Sequence, residues 1–586
     1  MDRPPLVRPP GAGPADPHQV HLTLASGGGV WVSWATGDGS VGGGDRPPPR
    51  LASVVQFGQS AAGLGRTARG ASETYTQAFP GGESYTSPRL HHVHLSAADL
   101  EASGKEGAAA RAVFYRVGDP GPGGAWSPVR AFTPPPRAGL GAYPVRLAVL
   151  GDLGQTHNSS TTLDHLTAAA RGEPAAGAAV GGAGGGGVAA ASTTTTTAAP
   201  TPPPAQAVFY LGDMTYADDY NPDGTLRAWP APPLPYTPSY GPKWDAWGRF
   251  TEGLFSAVPA VTTAGNHEIE TDAAGRSFQA WRARYKSGPG KGPAALASTA
   301  PLYGSVDVGP VHIISLNTYA PWDPASAQRA WLEADLRGVD RSATPWVFVL
   351  MHAPWYSSYA SHYRELECMR LELEGVLAAG SVDAVFSGHV HAYERTSRVL
   401  DGVPQPDVGG CAPRYVVAGD GGNLERLYTV FTSGPGPAAC PPAAAADECG
   451  QAEAAAAAAD PANNPPFCDA TQPRWSMLRQ PAYGFGMLDV LSPTRARWSW
   501  YANVDGRVRL ADSAEWSRDE ACLSAAGRAA ADARAGARGA APNAAERAAA
   551  ADAAPPPAAG YAPPPPAELP SQLAAAARAG VAPPPP

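Results

Sequence analysis

The chain has 586 residues, among them 65 Pro, 67 Gly and 6 Cys, with a formal charge of −9 and an isoelectric point near 5.8. That length exceeds a single compact core, so two or more domains are expected. The acidic balance, with no Lys/Arg-rich block, argues against a nucleic-acid partner. No run of about 18 apolar residues exists to span a membrane.

The opening MDRPPLVRPP has no apolar core of a signal peptide, which reads either as an intracellular protein or as a chain lacking its true beginning. Residues 1–16 form a Pro-rich tail without periodicity. Over 17–136 short alternating runs follow, namely QVHLTLA, GVWVSWATG, SVVQFG, SETYTQAF, RLHHVHLS, AVFYRVG and VRAFTPP. Their number and spacing predict an antiparallel β-sandwich. His91, His92 and His94 share one of these strands, and the strand period of two makes them structural rather than a site.

After the linker PPPRAGLGA the pattern changes over residues 141–515. Apolar strands (RLAVLGD, AVFYLGD, AVTTAGN, VHIISLN, WVFVLMH, DAVFSGH) alternate with helical segments such as SSTTLDHLTAAA, KWDAWGRFTEGLF, SFQAWRARYK, SAQRAWLEADL and YRELECMRLELEGVLAA. Such alternation predicts an α/β domain whose ligands collect beyond the carboxyl ends of the strands. AYGFGMLDV and RARWSWYAN return to strand pattern and close it. Three biased tracts, 173–205, 433–466 and 523–586, carry no periodicity and are expected to be insertions and a disordered tail.

Five polar clusters each sit directly behind a strand: GDLG at 151–154, GDMTY at 212–216, GNHE at 265–268, MHAPW at 351–355 and GHVH at 388–391. Each alone is weak, but all five in this order are not a chance assembly. Their ligating groups are oxygen and nitrogen, with no cysteine, which suits hard to borderline metal ions and not a structural zinc.

These clusters, with SPRLHHVHLS, QRAWLEADL, YVVAGDGGN and AYGFGMLDV, resemble the signature blocks of the purple acid phosphatases, within the calcineurin-like metallophosphoesterases. The resemblance covers roughly 17–515 and is to the large plant type. It implies a fibronectin-III-like domain at 17–136, then a catalytic domain with two central sheets flanked by helices, its C-terminal segment near 411–515. It also implies two metal sites. Asp152, Asp213, Tyr216 and His391 would hold ferric iron, and Asp213, Asn266, His352 and His389 would hold zinc, manganese or ferrous iron, with Asp213 bridging.

The chemistry of the residues suits that division. Carboxylates and a phenolate stabilise a hard trivalent ion, whereas imidazole and amide oxygen suit a divalent one. A phenol near pKa 10 stays ionised only beside a strong Lewis acid. A shared carboxylate sets the ions about 3.5–4 Å apart, as in two-metal hydrolases. The implied reaction is hydrolysis of a phosphate monoester by a hydroxide on the ions, in line with the leaving alcohol and favoured at acid pH.

His267 and His362 would bind the phosphate, with Asn266, or protonate the leaving group. One departure stands beside His362: plant-type members often carry two adjacent histidines, and here the first is Ser361. That leaves the leaving-group acid and the substrate preference open. His157, His165 and His312 lie outside the clusters and are read as structural.

The same metal site could serve phosphodiesters, pyrophosphates or phosphoproteins, and a non-enzymatic contact protein is the third reading, opposed by retention of all the implied ligands. Small phosphorylated substrates and a homodimer are the expected partners. Cys411, Cys440, Cys449, Cys468 and Cys522 lie outside any CxxC spacing and suit disulfides pinning long loops. Asn158-Ser159-Ser160 is the single N-glycosylation sequon. With the resemblance, these point to a secreted or vacuolar glycoprotein.

Overall fold

A computed structural model describes residues 7–42, 51–101, 112–173, 202–228, 236–286, 302–407, 410–432 and 472–518. Most of the tracts at 173–205 and 433–466, and the whole tail at 523–586, lie outside these residues, as do Cys440, Cys449, Cys468 and Cys522.

The N-terminal region forms two packed antiparallel layers. His18–Ala25, Gly29–Thr36, Arg89–Leu95 and Ala71–Glu73 make one; Arg130–Phe132, Val113–Gly118, Val54–Gly58 and Arg66–Arg69 make the other. Val20, Leu22, Val30, Val32 and Val93 from the first layer meet Val55, Phe57, Tyr115 and Val117 from the second in a hydrophobic core. The run read as one strand, SETYTQAF, is broken in two. Ala71–Glu73 pairs with Arg89–Leu95, while Thr76–Ala78 pairs with Ser84–Thr86 in a separate small sheet. The break falls where Tyr75 exchanges hydrogen bonds with Ser87 through its own N–H and C=O.

The region that follows places two larger sheets face to face. In the first, Val145–Leu150, Ala207–Tyr210 and Ala260–Thr262 run parallel, extended by the antiparallel strands Gly484–Val490, Arg495–Val504 and Arg507–Ser517. The second holds the parallel series Val311–Ser315, Trp346–Leu350, Ala384–Ser387 and Arg414–Ala418, edged by antiparallel Gly304–Val308 and Tyr393–Leu400. Strands buried on both faces are near-continuously apolar, and VRLAVL, AVFY, WVFVL and AVFS are buried along their whole length, Arg146 and Ser387 included. Leu147, Val149 and Phe209 pack on Phe348, Leu350 and Phe386 between the sheets.

Helices His157–Ala170 and Pro242–Phe255 cover the outer face of the first sheet, and Ala327–Gly338 and Glu367–Ala379 that of the second. Thr156 begins the first of these by accepting from the amides of Asn158 and Ser159, a capping box with Ser159.

The two regions also share a sheet. His18–Ala25 lies parallel to Ala260–Thr262 at Thr23↔Ala260, so a ten-stranded sheet runs through both. Among the described residues no helix is long and apolar enough to cross a membrane.

Candidate metal centre

The five clusters meet because five parallel strands end at the same edge of the facing sheets: Leu150, Tyr210, Thr262, Leu350 and Ser387 are their last residues. Turning abruptly there requires unusual backbone. Asp152, Asp213, Tyr216 and His389 all adopt left-handed conformations, with φ of 54°, 53°, 55° and 67°. Such strain in non-glycine residues persists where the surroundings over-determine it, characteristically at functional sites. The neighbouring glycines are required for space. A Cβ on Gly265 would lie 2.0 Å from Asp213 Oδ1, and one on Gly388 would lie 2.2 Å from Asp152 Oδ2.

Two ligand sets form around one shared carboxylate. Asp152, Asp213 and His391 bring ligand atoms within 4.8 Å of one another, and so do Asp213, His352 and His389. Tyr216 joins the first set, its hydroxyl 3.2 Å from His391 Nε2 and 3.4 Å from Asp152 Oδ1. Asn266 joins the second, its Oδ1 3.1 Å from His352 Nε2. Every one of these residues is buried. The structure thus brings together all seven residues implied as ligands.

Neighbouring groups aim the imidazoles. His352 Nδ1 donates to the Leu211 carbonyl at 2.7 Å, and His391 Nδ1 to the Arg426 carbonyl at 3.1 Å, leaving each Nε2 turned inward. Such outer partners orient metal-binding histidines. The carboxylates are also held through backbone amides: His389 N–H donates to both oxygens of Asp152 at 3.0 Å, and His267 N–H to Asp213 Oδ1 at 3.0 Å.

The donor set fits cations. Asp213 Oδ2 is buried without a well-aligned hydrogen bond, although His352 Nε2 lies 3.0 Å away. An unsatisfied buried carboxylate oxygen is costly unless something positive meets it. Burial, followed by Asp152 and Asp213, raises the Tyr216 phenol well above its usual range, so a strong Lewis acid is what would ionise it. Burial opposes ionisation of Asp213, but His352 and His267 outweigh it and hold that carboxyl low. Burial also disfavours the charged form of His352, yet Asp213 and Asp152 raise it to about 9.

His267 and His362 flank the two sets. His267 Nδ1 meets Asp218 Oδ1 at 2.7 Å, and its ring centre lies 4.1 Å from that of Tyr216. His362, at φ 56°, meets Glu365 Oε2 at 2.6 Å through Nδ1, and its ring centre lies 3.8 Å from that of His389.

Several partners were not singled out in the sequence. Glu268 accepts from the amides of Asp213, Met214 and Gly265 at 2.7, 2.8 and 2.7 Å. It stands inside GNHE, where the motif offers it as a buried acid but not its targets. Asp218 follows Asp213 by five residues, and Glu365 follows His362 by three. Glu425 and Tyr428 lie just beyond YVVAGDGGN. Glu425 Oε1 is 3.6 Å from His267 Nε2, and its Oε2 is 3.8 Å from His391 Nε2. No periodicity marks any of these.

The other histidines that the sequence singled out lie elsewhere. His91 stacks on Trp34 and bonds Thr36 and Ser53, and His92 bonds Ser33. His94 lies against Trp31. His165 meets Asn503, and His312 is enclosed by Asp307 and Asp335. His157 is exposed at the start of its helix, with Asn158 exposed beside it.

Comparison with known proteins agrees with this geometry. Residues 17–134 match the purple acid phosphatase N-terminal domain, 145–393 the calcineurin-like phosphoesterases, and 449–510 the iron/zinc purple acid phosphatase-like protein C family. Purple acid phosphatase 15 of Arabidopsis thaliana is 35% identical over 510 residues, covering 85% of this chain and 84% of that protein. The Fe(3+)-Zn(2+) purple acid phosphatase 12 of the same plant is 31% identical over 514 residues, covering 86% and 84%. The structure of a purple acid phosphatase from yellow lupin (Lupinus luteus) seeds superposes with a TM-score of 0.60 at 20% identity, covering 88% of this chain and 76% of that one. The chain belongs to the purple acid phosphatase family and is a hydrolase with a binuclear metal centre.

Proposed function

We propose that the protein hydrolyses phosphate monoesters at acid pH. The observation that carries this reading is the sharing of Asp213 between two buried ligand sets, only one of which contains a tyrosine. Asp152, Asp213, Tyr216 and His391 would hold ferric iron; Asp213, Asn266, His352 and His389 would hold zinc, manganese or ferrous iron. The Fe(3+)-Zn(2+) relative supports iron with zinc. When bound, the ions neutralise the charge of the phosphate and lower the pKa of the water that attacks phosphorus.

The chain's own residues then bind the ester and manage a proton. His267, anchored by Asp218, donates to a phosphate oxygen, as does the Asn266 amide. His362 gives its Nε2 proton to the departing alcohol oxygen as the P–O bond breaks, while Glu365 holds the other ring nitrogen.

Metal analysis, the pH–activity profile and visible spectra of wild type and Tyr216→Phe test the proposal together. Iron with a divalent partner, a charge-transfer band lost or moved in the variant, and an acid optimum are expected. A colourless, iron-free wild type that is an active phosphatase would overturn the ferric assignment. Asp213→Ala is expected to lose both ions and nearly all turnover, and retained turnover contradicts the bridging role.

A secreted or vacuolar setting is part of the same proposal. It is supported by Cys368 and Cys411, both disulfide-bonded, since disulfides persist in oxidising compartments. Thiol titration of the denatured native-source protein should find no free cysteine; a fully reduced protein would refute that setting.

A further inference from the structure

The loop that follows strand Val311–Ser315 meets the second ligand set at Asn266. Its base is tied to the loop carrying Asn266: Thr263 Oγ1 donates to the Leu316 carbonyl at 2.6 Å. Its shape is set by Gln328, in the first turn of helix Ala327–Gly338. The Gln328 side chain accepts from the Asn317 N–H at 2.8 Å and donates to the Asn317 carbonyl at 3.0 Å. Asn317 Oδ1 accepts in turn from the Tyr319 N–H at 2.7 Å, and both Asn317 and Gln328 are buried. The loop held in this way places the Tyr319 hydroxyl 3.3 Å from Asn266 Oδ1. The Tyr319 ring centre lies 6.1 Å from that of His352.

We infer that Tyr319 is a positioning residue for Asn266, holding its amide oxygen toward the ligand set of the divalent ion. This rests on the assignment of Asn266 to that set. The last torsion of an asparagine side chain has a broad preference, so an amide without a partner turns readily. A phenol keeps its proton through acid and neutral pH and is available to donate it. An amide oxygen has two lone pairs. With one accepting from Tyr319, the other is left for a cation, and the Nδ2 hydrogens are left for a phosphate oxygen. Among the described residues no hydrogen bond joins Tyr319 to Asp152, Tyr216 or His391. The hydroxyl therefore serves the second set and leaves the first untouched.

The experiment strips the full chain of its divalent ion and titrates it with zinc, for wild type, Tyr319→Phe, Asn266→Ala and the double variant. Tyr319→Phe keeps the ring beside His352 and removes only the hydroxyl. Its Kd for zinc is expected to rise about 10-fold, the lower end of what losing a ligand's outer partner costs. Iron per chain and the visible band should match wild type. At saturating zinc, kcat should return to within about 2-fold of wild type. A hydroxyl serving the fold alone would lower the melting temperature without moving the zinc Kd. Asn266→Ala should weaken zinc by itself, and Tyr319→Phe should add nothing to that loss, because the hydroxyl acts through the amide.

An unchanged zinc Kd in Tyr319→Phe, or losses that multiply in the double variant, would overturn the positioning role. Loss of iron or of the visible band in Tyr319→Phe would do so as well, by making Tyr319 a support of the whole site. An Asn266→Ala protein that binds zinc as wild type does removes the assignment of the divalent site and this role with it, whereas the outcomes above remove Tyr319 alone.

Discussion

Asp218 and His267 are joined by a 2.7 Å contact between Oδ1 and Nδ1, and the imidazole so held faces Tyr216 with ring centres 4.1 Å apart. Its Nε2 is consequently turned toward Asp213 and Glu425, at 3.9 and 3.6 Å. A carboxylate behind a histidine fixes its tautomer and stabilises its charged form.

Replacing Asp218 by Asn keeps an acceptor but removes the charge. Asp218→Asn should lower kcat by about 10-fold, and His267→Ala by about 100-fold, the range expected of an acid–base or phosphate-binding histidine. Iron and divalent metal per chain should stay at wild-type levels in both. Metal loss in Asp218→Asn would show that it supports the ligands rather than His267.

Glu268 is fully buried and is the common acceptor for three amides in two loops. Glu268→Ala leaves those N–H groups unpaired, each costing about 1–3 kcal/mol. The variant should unfold at lower denaturant concentration, by about 3 kcal/mol or more, and bind both ions weakly, since Asp213 and Gly265 are the residues released. Chemical denaturation with metal analysis checks both outcomes.

His312 is buried between Asp307 at 2.7 Å and Asp335 at 2.8 Å. Burial disfavours its charge, but the two carboxylates outweigh that and raise its pKa above 6.5. A raised histidine adds stability that is complete below the unfolded value and fades as pH rises through the folded one. The melting temperature of wild type minus that of His312→Asn should therefore be largest near about pH 5 and shrink above neutrality. A difference that grows with pH contradicts the charged pair.

Arg284 ties the N-terminal region to helix Pro242–Phe255. Its guanidinium pairs with Asp245 at 2.9 Å and donates to Gln19 Oε1 at 2.9 Å and to the Tyr85 hydroxyl at 3.1 Å, all buried. Removing one member of a buried pair costs about 3–5 kcal/mol because the other charge is left unmatched. Arg284→Ala should lose stability on that scale, and limited proteolysis should cut earlier between the two regions. Unchanged denaturation and cleavage would mean that Arg284 carries no such share of the joint between them.

The chain's amino-acid order alone determined the repeating parts of this protein. Strands of period two, then apolar strands alternating with helices, leave local signatures, and ligand clusters announce themselves because each sits a residue or two behind a strand. Together with the purple acid phosphatase resemblance, it pointed to Asp152, Asp213, Tyr216, Asn266, His352, His389 and His391 as the ligands. The tertiary structure decided what local patterns cannot encode: Glu268 holding two loops together, Glu365 and Tyr428 on opposite nitrogens of His362, and Thr23 meeting Ala260 so that one sheet crosses both regions. These depend on loop geometry and on contacts between residues far apart in the chain. Side chains there carry no period, and their partners are chosen by where the folded backbone ends rather than by their neighbours in sequence.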